Sequence, residues 1–146
     1  MLAERMIVKE NIYSPRLKGT VYPPSILLIS DDPRRSLKID RFLTDHGCRM
    51  YRVDIRVEGL DTACQTYFDV LVLDVQTPQT SLQAWAEIET QSELTSLPII
   101  LLTGQDCSQE VVWQLKAGHI YCLPHNVSHD CLLTLIQQIS YMLKRY

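Results

Sequence analysis

The chain has 146 residues, 46% of them hydrophobic, and a net charge of −3, which suits one domain around a single core. Such a charge gives no bulk attraction to nucleic acid, and no apolar run approaches the about 20 residues that cross a bilayer. The N-terminus lacks a basic segment followed by an apolar stretch, so a secretory leader is not expected.

Residues 1–24 read as an N-terminal extension. Pro15, Gly19, Pro23 and Pro24 punctuate it, and proline disfavours helix beyond Pro15. Met6-Ile7-Val8 could form a short strand. The extension is either a loose tail or an arm that docks on the domain or on a partner.

The pattern changes at Ser25, and residues 25–146 form the domain proper. Ser25-Ile26-Leu27-Leu28-Ile29 is strand-like. Asp32 can cap a helix with Pro33 at its first position; that helix turns Leu37, Phe42 and Leu43 inward and stops at Gly47. Arg49 to Val53 reads as a second strand and Glu58 to Thr66 as a short helix. Val70 to Leu73 has no polar alternation, as a strand covered on both faces requires. Ser81 opens a helix carrying Leu82, Trp85, Ala86 and Ile88. Pro98 to Leu102 is a fourth strand. Asp106 or Ser108 caps a helix that ends at Ala117-Gly118. Ile120 to Leu123 is a fifth strand, and Ser128 caps a last helix with Cys131, Leu132, Leu135, Ile136, Ile139, Met142 and Leu143 at three- and four-residue steps.

Five strands alternating with five helices imply an α/β fold, a doubly wound parallel sheet. The five cysteines contain no C-x-x-C pair and their number is odd. Reduced thiols in a cytoplasmic protein are expected, and no Cys/His pair has zinc-ligand spacing.

Chemistry concentrates at strand ends. The first strand runs into Ser30-Asp31-Asp32-Pro33, the third ends in Asp74, and the fourth ends in Thr103-Gly104. In an open α/β sheet, ligands gather at the carboxyl ends of the strands. Two acids and a hydroxyl there suit a small Mg²⁺-dependent phosphoryl-accepting site. A flavodoxin-like cofactor binder is disfavoured, because neither Ser30 to Arg35 nor Thr103 to Ser108 is a glycine-rich phosphate loop.

Those motifs, with Pro78 after Asp74 and Ala117-Gly118 before the last strand, resemble the receiver domains of response regulators. The resemblance covers Ser25 to Tyr146 and implies a flavodoxin-like sheet with strand order 2-1-3-4-5. It implies that Asp74 accepts a phosphoryl group from a histidine kinase or phosphotransfer protein. Asp31 and Asp74 would hold Mg²⁺, with the Gln76 backbone carbonyl completing the site. Thr103 would act as the switch hydroxyl. Catalysis would extend at most to self-phosphorylation and dephosphorylation.

The chain departs from that pattern in four places. Receivers carry two acids after the first strand; counted back from Pro33 the pair falls on Ser30 and Asp31, leaving Asp32 as a cap and as the less favoured metal ligand, while the alternative register pairs Asp31 with Asp32. His125 stands at the usual lysine position, followed by Asn126, and an imidazole is not the permanent cation that a lysine is. Cys122 occupies the aromatic switch position, with Tyr121 beside it. Leu82 replaces a common glycine.

Two functions follow. One is a single-domain response regulator phosphorylated on Asp74. The other is a pseudo-receiver, a binding module that keeps the fold and works without phosphorylation. A compensating cation near the site points to the first, and a neutral, remote His125 to the second. In either case the output passes to a protein partner through the Asp106 to Gly118 and Ser128 to Tyr146 face, where Val111, Val112 and Leu115 cannot all face inward. A homodimer is one such assembly; direct contact with nucleic acid or membrane is not expected.

Overall fold

The three purely apolar runs become the centre of the sheet. A computed structural model describes residues 23–56, 67–75, 78–91, 94, 96–103 and 120–144. Within them lie β1 (Ser25–Ser30), α1 (Pro33–Asp45), β2 (Arg49–Asp54), β3 (Val70–Asp74), α2 (Pro78–Glu89), β4 (Ile99–Thr103), β5 (Ile120–Pro124) and α3 (His129–Lys144). All five strands are parallel, in the order β2-β1-β3-β4-β5. The flavodoxin-like order expected from the resemblance is therefore present. The described residues hold three helices; the helices expected at 58–66 and 106–118 lie outside them, as do the strand at Met6-Ile7-Val8 and most of the N-terminal extension.

Strand alternation divides the core into two layers. Leu27, Ile29, Leu71, Leu73, Ile99 and Leu101 pack with Ala84, Trp85 and Ile88 of α2. Ile26, Leu28, Val70, Val72, Ile100 and Leu102 pack against Ile39 and Leu43 of α1 and Leu132, Leu133, Ile136 and Ile139 of α3. Every one of these strand side chains is buried. The buried Asp69 carboxylate accepts the Ser25 backbone N–H at 2.8 Å, tying the start of β1 to the approach of β3.

Local signals set the helix ends. Asp32 caps α1, accepting the N–H groups of Arg34 and Arg35 through Oδ1 at 3.0 and 3.2 Å, with Pro33 next to it. Gly47 follows the helix at φ +93°, the left-handed region that glycine tolerates.

Several helix expectations need correction. Ile39, not Leu37, faces inward from α1, and Leu37 is 36% exposed. Leu37 and Phe42 are five residues apart and cannot share a narrow stripe, whereas Ile39 and Leu43 are one turn apart. The second helix begins at Pro78 rather than Ser81, because proline is well suited to a first helical turn. Ala86 is exposed where Ala84 is buried, and Cys131 is exposed. No described helix is long and apolar enough to cross a membrane.

Candidate functional site

Register and parity build the site. Ser30 lies opposite Asp74 where β1 and β3 pair. Both continue the even-numbered side of their strands, the side covered by α1 and α3. The chain leaves β1, places Asp32 as a cap, and starts α1 immediately. The first turn of α1 consequently stands over the ends of β1 and β3.

Asp74 is fully buried. Its carboxylate is held by two side chains. Arg35 donates from Nη2 to Oδ1 at 2.6 Å, and its Nε lies 3.1 Å from both Oδ1 and Oδ2. Ser30 Oγ lies 3.1 Å from Oδ2, placed to donate to it, and itself accepts the Asp32 N–H at 3.0 Å. Arg35 Nη1 is also 4.0 Å from Asp32 Oδ2, and the Arg35 side chain keeps 22% exposure. The backbone joins the same assembly, since the Asp31 N–H donates to the Asp74 carbonyl at 3.2 Å. Asp31 is itself buried at this sheet end.

Asp31 and Asp74 meet at this sheet end, Ser30 joins them there, and Asp32 serves as the cap. Thr103 ends β4 opposite Pro124 of β5, but its side chain lies outside the described residues, as does Gln76. His125 is exposed in the turn after β5 and is not among the partners of the Asp74 carboxylate. Cys122 pairs with Leu101 in an unbroken β4–β5 register, and its side chain is exposed. Tyr121 packs instead against the layer under α1 and α3.

Arg35 is the site residue that the sequence reading missed, and two signals mark it. It lies one turn before Ile39, on the inner stripe of α1, where a charge requires a partner. It also places a cation in a first helical turn that has no acidic residue, against the preference of the helix dipole. The ion pair with Asp74 answers both.

The chain matches the response regulator receiver domain model over residues 26–137. It belongs to the response regulator receiver family. The receiver is 26% identical over 115 residues to the protein PilH of Pseudomonas aeruginosa, covering 78% of this chain and 95% of PilH. It is 30% identical over 99 residues to the sensor histidine kinase GacS of Pseudomonas protegens, covering 65% of this chain but only 11% of GacS. Among solved structures, the receiver domain of a Pseudomonas aeruginosa sensor histidine kinase, with a magnesium ion in its active-site cleft, has a TM-score of 0.66 and 24% identity. It covers 82% of this chain and 98% of that one. The chemotaxis protein CheY4 of Vibrio cholerae has a TM-score of 0.65 at 22% identity, covering 80% and 98%. At those identities the structural likeness speaks for the fold.

Receiver domains of two-component systems generally bind Mg²⁺, so the donor set was set against that ion. The described residues offer two carboxylates, Asp31 and Asp74, and hold no cluster of three or more His, Cys, Asp or Glu side chains suited to a metal. A carboxylate has about four lone-pair positions, and Arg35 with Ser30 makes four contacts to Asp74. A divalent ion on Asp74 would also stand beside a guanidinium. With Arg35 in this position, the residues do not fit the ion.

Proposed function

We propose that this receiver domain is a protein-binding module of two-component signalling that works with Asp74 unphosphorylated. The observation that carries this reading is the Asp74 carboxylate, fully buried and held on both oxygens by Arg35 and Ser30. An aspartate attacks a phosphodonor through a free oxygen lone pair, in line with the leaving group. Here the nucleophile is turned into one half of an ion pair, and its charge is already neutralised.

The compensating cation that would favour phosphorylation is thus present, though on the nucleophile itself. A second reading follows from one observation: Arg35 has a second acceptor, Asp32, at 4.0 Å and is partly exposed. If Arg35 turned toward Asp32, Asp74 would be freed, and the guanidinium could fork onto phosphoryl oxygens in place of the missing lysine.

As a binding module, the receiver would present the surface of α3 and the β5 edge. Tyr141 is 48% exposed on α3, Cys131 is exposed on the same helix, and Cys122 and Pro124 are exposed on β5. The other half of the face expected from sequence, Asp106 to Gly118, lies outside the described residues. The partner class is a histidine kinase, a phosphotransfer protein or a downstream regulator.

Intact mass after incubation with acetyl phosphate and Mg²⁺, and separately with a phosphorylated phosphotransfer protein, tests the reading. No mass gain is expected from either donor. A gain of one phosphoryl group that Asp74→Asn abolishes would establish phosphoryl acceptance instead.

A further inference from the structure

We propose that Arg35 is a built-in occupant of the cation position at this sheet end, covering a divalent-ion site whose remaining carboxylates are still in place. The inference rests on the reading that Asp74 spends its working life in the ion pair, and it assigns Arg35 the role that keeps the site closed.

Two buried carboxylates, Asp31 and Asp74, sit at the ends of adjacent strands, joined through the Asp31 N–H and Asp74 carbonyl. Two anions so placed call for positive charge, because burial makes unpaired charge costly. Arg35 supplies it at Asp74, while Arg56, just beyond β2, adds positive charge near Asp31 and Asp32. The planar fork of Arg35 matches a carboxylate edge-on, with Nη2 and Nε on Oδ1 and Nε reaching Oδ2. Ser30 fills the last position on Oδ2 as a neutral hydroxyl that can donate. Where receivers carry an acid, Ser30 removes one negative charge; Arg35 adds one positive charge. Together the two side chains shift the local charge by the two units that a divalent ion would bring.

Helix α1 fixes this arrangement. Asp32 caps the helix and also lies beside Arg35, so the guanidinium is steered by the residue that starts its own helix. A side chain reaching inward from the first turn arrives over Asp74, while one on any neighbouring position of that turn points elsewhere. Arg35 is the cation seated on the Asp74 carboxylate, and truncating it frees that carboxylate for an ion.

Mn²⁺ binding, read from the loss of the free-ion electron paramagnetic resonance signal, tests the proposal without any phosphodonor. The proteins compared are the wild type, Arg35→Met, Arg35→Gln and the Arg35→Met/Asp74→Asn double variant. Arg35→Gln keeps one amide donor for the carboxylate and serves if the methionine variant does not fold. Wild type is expected to leave the Mn²⁺ signal unchanged. The single variants are expected to bind Mn²⁺ roughly tenfold or more tightly than wild type, as removal of an adjacent like charge should allow, and Asp74→Asn should cancel the gain. Mg²⁺ should raise the melting temperature of the single variants and not that of the wild type. Wild-type binding equal to that of the variants would overturn the proposal, and so would folded variants that bind no Mn²⁺. A melting temperature of the wild type that Mg²⁺ raises and Asp74→Asn makes unresponsive would also overturn it. Phosphorylation of the wild type would overturn the proposed function but is a separate readout from ion binding.

Discussion

The two sides of this sheet end are built differently. On the β1–β3 side, Ser30, Asp31 and Asp74 are buried and bonded to one another, and α1 closes over them through Arg35. On the β5 side, strand residues are only partly buried or exposed, Cys122 among the exposed ones, and His125 is exposed in the following turn. Asp31 and Asp74 stand at the ends of β1 and β3, and the cation bonded to Asp74 is carried by the first turn of α1. A cation on the β5 loop is placed to meet incoming phosphoryl oxygens. In the proposed reading, a cation on α1 seated on Asp74 stabilises the resting carboxylate and would compete with both phosphodonor and metal.

The sharpest contrast between buried and exposed parts of the molecule should appear in thiol reactivity. Cys48 is buried in the layer under α1 and α3, whereas Cys122 and Cys131 are exposed. In the native protein, labelling of Cys48 by a thiol reagent is expected to be about a thousandfold slower or more, since it must await opening of the core. Comparable native rates for all three would remove the contrast. Burial also pushes the Cys48 thiol up to about 12 from its ordinary 9.0. The stability linked to that thiol is intact below pH 9.0 and lost as pH rises toward about 12. Replacing Cys48 by alanine should flatten the alkaline limb of a stability–pH curve.

Next in size is the ion pair. Arg35→Met leaves a buried carboxylate without its cation and should cost about 3–5 kcal/mol in denaturant unfolding. On the other side, His125→Ala should change stability by less than about 0.5 kcal/mol. Equal effects would place the cation of the site back on the β5 side. Between these extremes, Leu73→Ala, fully buried in β3, should cost about 2–5 kcal/mol. The half-buried Leu123 of β5 should cost less on the same truncation. Asp32→Ala removes the α1 cap and should cost about 1 kcal/mol.

The layout was largely readable because the strands are unambiguous. Runs such as Ile26 to Ile29 and Val70 to Leu73 admit no polar face, and each runs into turn or acidic residues. Asp32-Pro33 and Gly47 announced the ends of α1 by local chemistry alone. The phase of that helix was harder to read, since Leu37 and Ile39 are both apolar and only tertiary packing chooses between them. The centre of the site was hardest. Arg35 meets Asp74 across 39 positions of sequence, through strand parity and a short connection that must both be known first. A charged residue in phase with Ile39 and Leu43, in a first turn without acids, was the available clue.

The central claim, that Arg35 is seated on Asp74 in the resting protein, is tested most directly by a double-mutant cycle on the two residues. Wild type, Arg35→Met, Asp74→Asn and the double variant would be unfolded in urea. A coupling of about 2 kcal/mol or more is predicted, with the double variant recovering much of the loss caused by Arg35→Met. Losses that simply add would mean that the two side chains act independently, and the account of a closed, self-neutralised site would fail.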